Sequence, residues 1–259
     1  MNKERALQSY VLALADDELI LGHRDAEWTG HAPLIEEDIA FSNIAQDEIG
    51  HAQNWLRIYE SLSGKDPDTV AFLREHNEFT CCHLVQMPKG DWAYTIVRQF
   101  FFDAAEIIRL GYLKKSTYDP VRELAAKIYP EEQYHLLHTQ GNVERLGDAT
   151  EESHRRMQRA VDEAFGQALG LFENIPGEQM LVDEQIVPAS KTLEVEWIQF
   201  VVPVIKRSGL NSPIKETNGL PETGVKPEYG GRQKQHTEHL DEIVTDMQKV
   251  YRMIPGAKW

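Results

Sequence analysis

Along the first half of the chain, apolar residues recur at alternating three- and four-residue steps. That spacing keeps them on one face of an α-helix. Residues 3–27 carry Leu7, Val11, Leu14 and Leu21 in this way, and residues 34–62 carry Phe41, Ile44, Trp55, Ile58 and Leu62. Residues 92–115 repeat the pattern with Ile96, Phe100, Ile107 and Leu110, and residues 119–146 with Val121, Ala125 and Ile128. Breaker residues separate the stripes. Thr29-Gly30-His31-Ala32-Pro33 ends the first, with Pro33 suited to the opening of the second. Ser63-Gly64-Lys65-Asp66-Pro67 stops the second. Asp91 is placed to cap the third helix, Asp119-Pro120 opens the fourth, and Gly147 is expected to close it. Residues 69–89 are less regular and read as a short helix followed by loop.

The second half is more helix with looser punctuation. Residues 151–172 place Met157, Val161, Ala164, Phe165, Ala168, Leu169 and Phe172 on one side, and residues 192–206 form a short apolar helix containing Pro203. Residues 211–231, rich in Gly and Pro, read as a long surface loop or arm of the kind that is usually functional, partner-binding or disordered. A last helix over residues 233–253 ends before Pro255-Gly256. No segment alternates with the period of a strand, so the pattern predicts an all-α chain. It is expected to form one domain, a bundle core over residues 3–147 with a C-terminal helical extension over residues 148–259.

Each of the four long stripes is interrupted by charge at a core position. The first carries Glu18 (and, two turns on, Asp25), the second Glu48-Ile49-Gly50-His51, the third Asp103, and the fourth Glu132-Gln133-Tyr134-His135. In a Glu-x-x-His tetrad the carboxylate and imidazole share one helix face. Two such tetrads, with one carboxylate from each of two further helices, make the ligand set of a ferritin-like four-helix bundle that binds two iron or manganese ions. A single tetrad in a Glu-rich helix would be ordinary surface. Two on apolar stripes, with a core carboxylate on each remaining helix, require cations or protons in compensation. The expected ligands are therefore Glu18, Glu48, His51, Asp103, Glu132 and His135. Glu106 lies one turn beyond Asp103 and to its flank, as an outer partner or alternate ligand. Four carboxylates and two imidazoles form a hard, oxygen-rich set suited to two iron ions, with manganese the other metal that fits.

Composition narrows the setting. The chain has 41% hydrophobic and 27% charged residues, the balance of a soluble globular protein. No apolar run approaches the roughly 20 residues needed to span a bilayer, and the N-terminus lacks the features of a secretory signal. The net charge of −15 and the lack of a basic cluster argue against nucleic acid and anionic membrane as partners. The adjacent Cys81 and Cys82 read as buried thiols of a cytoplasmic protein. His236-Thr237-Glu238-His239 is expected to be structural or interfacial, and Trp55 and Tyr134, beside the tetrads, to be core aromatics rather than electron relays. With no phosphate-binding Gly loop and no dinucleotide fingerprint, any redox chemistry must draw electrons from another protein.

Several segments resemble the ferritin-like subunits of the bacterial phenylacetyl-CoA epoxidases, multicomponent monooxygenases of phenylacetate degradation. The resemblance is carried by Glu27-Trp28-Thr29-Gly30-His31-Ala32-Pro33, by residues 43–52 around the first tetrad, and by Arg98-Gln99-Phe100-Phe101-Phe102-Asp103-Ala104. Tyr134-His135-Leu136, His236-Thr237-Glu238-His239-Leu240 and the closing Pro255-Gly256-Ala257-Lys258-Trp259 extend it over nearly the whole chain. It implies an oxygen-activating component that works on an aryl-CoA thioester with sister subunits and an electron-transfer reductase, in a homo- or hetero-oligomer. Length and tail are nearer the smaller, structural subunit of that complex, whereas the six ligand positions match the pattern of the catalytic one. Two alternatives follow: a non-catalytic scaffold in the same complex, or a free-standing ferritin-like ferroxidase or peroxidase. The arm and C-terminal extension count against the second, because a lone bundle has no need of them.

Overall fold

The structure, a computed structural model, describes residues 1–217 and 220–254. In chain order its elements are α1 (Lys3–Ala26), α2 (Ile35–Ser63), α3 (Pro67–Phe72), α4 (His83–Gln86), α5 (Trp92–Leu113), α6 (Asp119–Ala149), α7 (Glu151–Leu169), α8 (Glu178–Asp183), α9 (Ser190–Arg207), β1 (Ile214–Thr217), β2 (Leu220–Thr223) and α10 (Glu238–Met253). The all-α class expected from the periodicity holds, with one small hairpin added. The chain divides into two compact units, one of Met1–Pro88, Ile175–Leu181 and Gly230–Trp259, the other of Lys89–Asn174 and Val182–Tyr229.

The first unit is built on α1 and α2. Gln8 donates to the Leu62 carbonyl at 2.7 Å, so the start of α1 meets the end of α2 and the pair is antiparallel. Gly22 sets how closely they approach. A Cβ there would lie 2.8 Å from Ile49 Cγ1 and 3.1 Å from the Ala45 carbonyl oxygen, so a side chain would push the helices apart. Asn2 caps α1, and α2 ends as expected at Gly64 in the left-handed conformation. Residues 230–240 return to this pair as a strap. Gln86, fully buried, accepts from the Thr237 backbone N–H and hydroxyl at 2.9 and 3.0 Å. Its amide nitrogen donates to the Cys81 carbonyl and to His236 Nδ1 at 3.1 and 2.9 Å. The other ring nitrogen of His236 donates to the Phe79 carbonyl at 2.9 Å, which sets its tautomer.

His236 is thus structural. It precedes the last helix, which begins at Glu238 instead of residue 233 because Gly231–Gln233 form a single 3-10 turn first. Cys81 and Cys82 are buried and unbridged. Burial pushes both thiols up; the Asp17 carboxylate pushes both in the same direction, and Asp16 does so for Cys81.

The second unit is built on α5 and α6, packed with α7 and α9. Asp91 caps α5 as its sequence position suggested, accepting from the Tyr94 N–H at 3.0 Å. Trp197 on α9 is wholly buried among Phe101, Phe165 and Phe172, at ring separations of 5.3, 5.3 and 5.5 Å, and its indole N–H reaches the Phe101 carbonyl at 2.9 Å. Two expectations need correction. Gly147 does not close α6, which runs on to Ala149. It is glycine because the Ser208 carbonyl packs where a Cβ would sit. The arm over residues 211–231 is also not all loop. β1 and β2 pair antiparallel, Ile214 with Thr223 and Thr217 with Leu220; in the sequence, an Asn-Gly dipeptide of the kind that favours hairpins lies between them. The return of the arm lies on its own unit, with the Glu228 N–H donating to the Gly166 carbonyl of α7 at 2.9 Å. Residues 255–259, which contributed to the resemblance, lie outside the described residues.

Candidate metal centre

The charged interruptions of the helical stripes are buried with the apolar residues around them. Glu18 and His51 retain 1% and 2% of their surface, and Glu48, Asp103, Glu132 and His135 none. In the first unit, the ligand atoms of Glu18 (α1), Glu48 and His51 (α2) all lie within 4.8 Å of one another. His51 Nδ1 is 3.7 Å from Glu18 Oε2 and 3.8 Å from Glu48 Oε2. In the second unit, the ligand atoms of Asp103 (α5), Glu132 and His135 (α6) lie within the same 4.8 Å, with His135 Nδ1 3.6 Å from Glu132 Oε1. These nitrogen–oxygen separations exceed a hydrogen bond and leave room for a cation. Each triad is the same set: one carboxylate from one helix and a Glu/His pair from the next.

The donors fit a metal on chemical grounds. Glu18 Oε2 is buried and accepts no hydrogen bond among the described residues. Burying a carboxylate without compensation is expensive, and its two sequence neighbours show what compensation by protein looks like. Asp16 pairs with Arg74 and accepts from the Thr80 N–H at 2.7 Å. Asp17 takes both terminal nitrogens of Arg232 at 2.9 and 2.5 Å and the Cys82 N–H at 2.8 Å. Burial acts against the Arg232 charge, yet Asp17 holds that guanidinium above its usual range. Of three consecutive acids, two are matched by arginines and the third faces His51 of α2. Carboxylate and imidazole donors of this kind suit iron or manganese.

The second triad is fixed differently. Gln99 donates to Asp103 Oδ1 at 2.9 Å and the Thr139 hydroxyl to Asp103 Oδ2 at 2.6 Å. Sequence reasoning missed both. Gln99 sits four residues before Asp103 and Thr139 four after His135, so a search one turn either side of each ligand would have found them. Glu106, the other acid considered on α5, forms a buried ion pair with Arg109. Trp55 is core, as expected, whereas Tyr134 is 55% exposed and faces away from the ligand stripe of α6. His236 and His239 are not among the groups that could hold a metal in the described residues, nor is any described helix long and apolar enough to cross a membrane.

Comparison with known proteins agrees with the residues. The family model described as "Phenylacetic acid catabolic protein" matches residues 1–259. The chain is also similar to a protein of Escherichia coli (strain K12) named as one of the subunits of 1,2-phenylacetyl-CoA epoxidase. The two are 35% identical over 254 residues, which cover 98% of this chain and 99% of the other. By the match along its whole length, the chain belongs to the phenylacetic acid catabolic protein family.

Proposed function

We propose that the chain is the oxygen-activating subunit of a multicomponent CoA-thioester epoxidase of the phenylacetyl-CoA type. In this reading Glu18, Glu48 and His51 of one triad, and Asp103, Glu132 and His135 of the other, would hold the iron. The observation that carries it is the occurrence of the same buried carboxylate, Glu and His set in both units. Iron so held supplies the reduction and splitting of dioxygen. The protein's own residues contribute position and environment. Gln99 and Thr139 fix the orientation of Asp103, the histidines present Nδ1 toward the carboxylates, and the apolar stripes exclude water from all six side chains.

The partners follow from what the chain lacks in sequence and from its family. A relative named as one subunit of an epoxidase implies sister subunits, and the absence of a dinucleotide motif assigns electron delivery to a separate reductase. The substrate class is an aryl-CoA thioester and the compartment the cytoplasm.

Iron analysis with an optical spectrum of the isolated chain tests the metal, with about two iron ions per chain expected. Reconstitution with sister subunits and reductase tests the activity. A His51→Gln, His135→Gln double variant should enter the complex and leave it unable to turn over phenylacetyl-CoA. Retained turnover would place the chemistry in a sister subunit and make this chain a scaffold.

A further inference from the structure

The strap that returns to α1 carries Gly230-Gly231-Arg232, and its geometry has a purpose the metal ligands do not explain. Arg232 is 3% exposed and grips Asp17 with both terminal nitrogens. It also donates to the Thr80 carbonyl at 2.9 Å and to the Ala13 carbonyl at 3.4 Å, one helical turn before Asp17. One guanidinium therefore spans a turn of α1 and ties it to residues 80–82, where Cys82 adds a third donor to Asp17. The two glycines make this approach feasible. Gly230 has a φ of 133°, and a Cβ on Gly231 would occupy the position of the Cys81 carbonyl. Asp17 immediately precedes Glu18, and successive helix side chains point about 100° apart. Fixing the direction of one therefore fixes the other.

We propose that Arg232 is a positioning residue for Glu18: by its two-point grip on Asp17 it sets the rotation and height of α1 at which Glu18 meets Glu48 and His51. The proposal rests on the metal reading above. A planar guanidinium fork defines an orientation that a point charge does not. A buried ion pair is also often no more stable than neutral residues of similar size. The orientation, more than the stability, is what the pair contributes.

The test is titration of the full-length protein with Co(II), read by its d–d absorption, with melting curves in parallel. The key variant is Asp17→Asn, Arg232→Gln, which leaves no unmatched buried charge. It is expected to melt near the wild type and to keep one Co(II) unchanged. The other Co(II) should bind at least tenfold more weakly, with bands shifted toward those of Glu18→Gln. Arg232→Lys, which keeps the charge and loses the fork, should show part of that shift, and it decides the matter if the double variant does not fold. Titrations of the variants superimposable on wild type would overturn the proposal, as would equal weakening of both sites in step with a lower melting temperature. Wild-type protein that takes up no Co(II) would remove the metal reading and this proposal with it. Uptake by wild type with unchanged variants would remove this proposal alone.

Discussion

The two triads contain the same kinds of ligand but are held by opposite means. In α5–α6 the lone carboxylate, Asp103, is fixed directly: Gln99 and Thr139 each donate to one of its oxygens. In α1–α2 the lone carboxylate, Glu18, is fixed indirectly. Its Oε2 accepts no hydrogen bond among the described residues, and the restraint falls on its neighbours, which are gripped by Arg74 and Arg232. A directly bonded carboxylate is oriented before metal arrives. One held through its helix keeps an oxygen available, here Glu18 Oε2, and could adjust to a metal. The chain thus pairs a preset half with an adaptable half, and each prediction below asks whether that distinction holds.

The largest effects should ignore it. Glu48→Ala and Glu132→Ala should each abolish metal binding at the triad that loses its glutamate, whichever half that is. Elemental analysis after desalting checks this, and a variant that kept its full metal content would overturn the assignment of that glutamate. Glu106→Ala should act on stability without acting on the centre. It strips Arg109 of its buried partner, and breaking such a pair costs roughly 3–5 kcal/mol, measurable by denaturant unfolding, while metal content stays unchanged. Loss of metal in Glu106→Ala but not in Asp103→Ala would reverse the assignment on α5.

Thr139→Val bears on the preset half alone. Losing an outer-shell hydrogen bond typically weakens metal binding about 10- to 100-fold, so one metal should loosen while the other does not. The smallest effect concerns the strap of the adaptable half. Burial pulls the His236 imidazole below its ordinary 6.5, against the upward pull of its bond to the Phe79 carbonyl; His83 and His76 lower it further, and Asp16 opposes them. The unfolded chain then takes up a proton at this position more readily than the folded one. Stability is full above 6.5 and declines as pH falls below it toward the folded value, where Nδ1–H would confront the Gln86 amide nitrogen. Hydrogen exchange of α10 amides should accelerate in that window, and His236→Gln should flatten most of the dependence. His23, likewise depressed by burial, contributes in the same direction.

Much of this was legible in the sequence, for identifiable reasons. Long helices with three- and four-residue periodicity announce their buried face, so the stripes of α1, α2, α5 and α6 were readable to within a few residues, and with them the burial of Glu18, Glu48, Asp103 and Glu132. What escaped depends on contacts distant along the chain. Gly147 reads as a helix stop, yet its role is to admit Ser208 from the end of α9. The Arg232–Asp17 pair spans a separation that no local pattern marks. The hairpin of β1 and β2 was signalled by an Asn-Gly dipeptide, but the surrounding Gly and Pro residues made loop the simpler reading. Tyr134 shows the limit of adjacency, since a residue next to a ligand on a helix faces elsewhere.

The buried cysteines bear on durability. If the chain handles dioxygen as proposed, it would meet peroxide formed in futile turnover, and peroxide attacks thiolates far faster than thiols. Cys81 and Cys82 are 0% and 1% exposed, lie behind the strap, and are kept protonated by burial and by Asp17, the residue before Glu18, with Asp16 adding to the effect at Cys81. The acidic run on α1 therefore also shields the chain's two sulfhydryls from oxidation. Oxidative ageing of this protein should begin at its exposed methionines, with Met253 at 73% exposure foremost among the described ones, and leave the cysteines until the fold itself has opened.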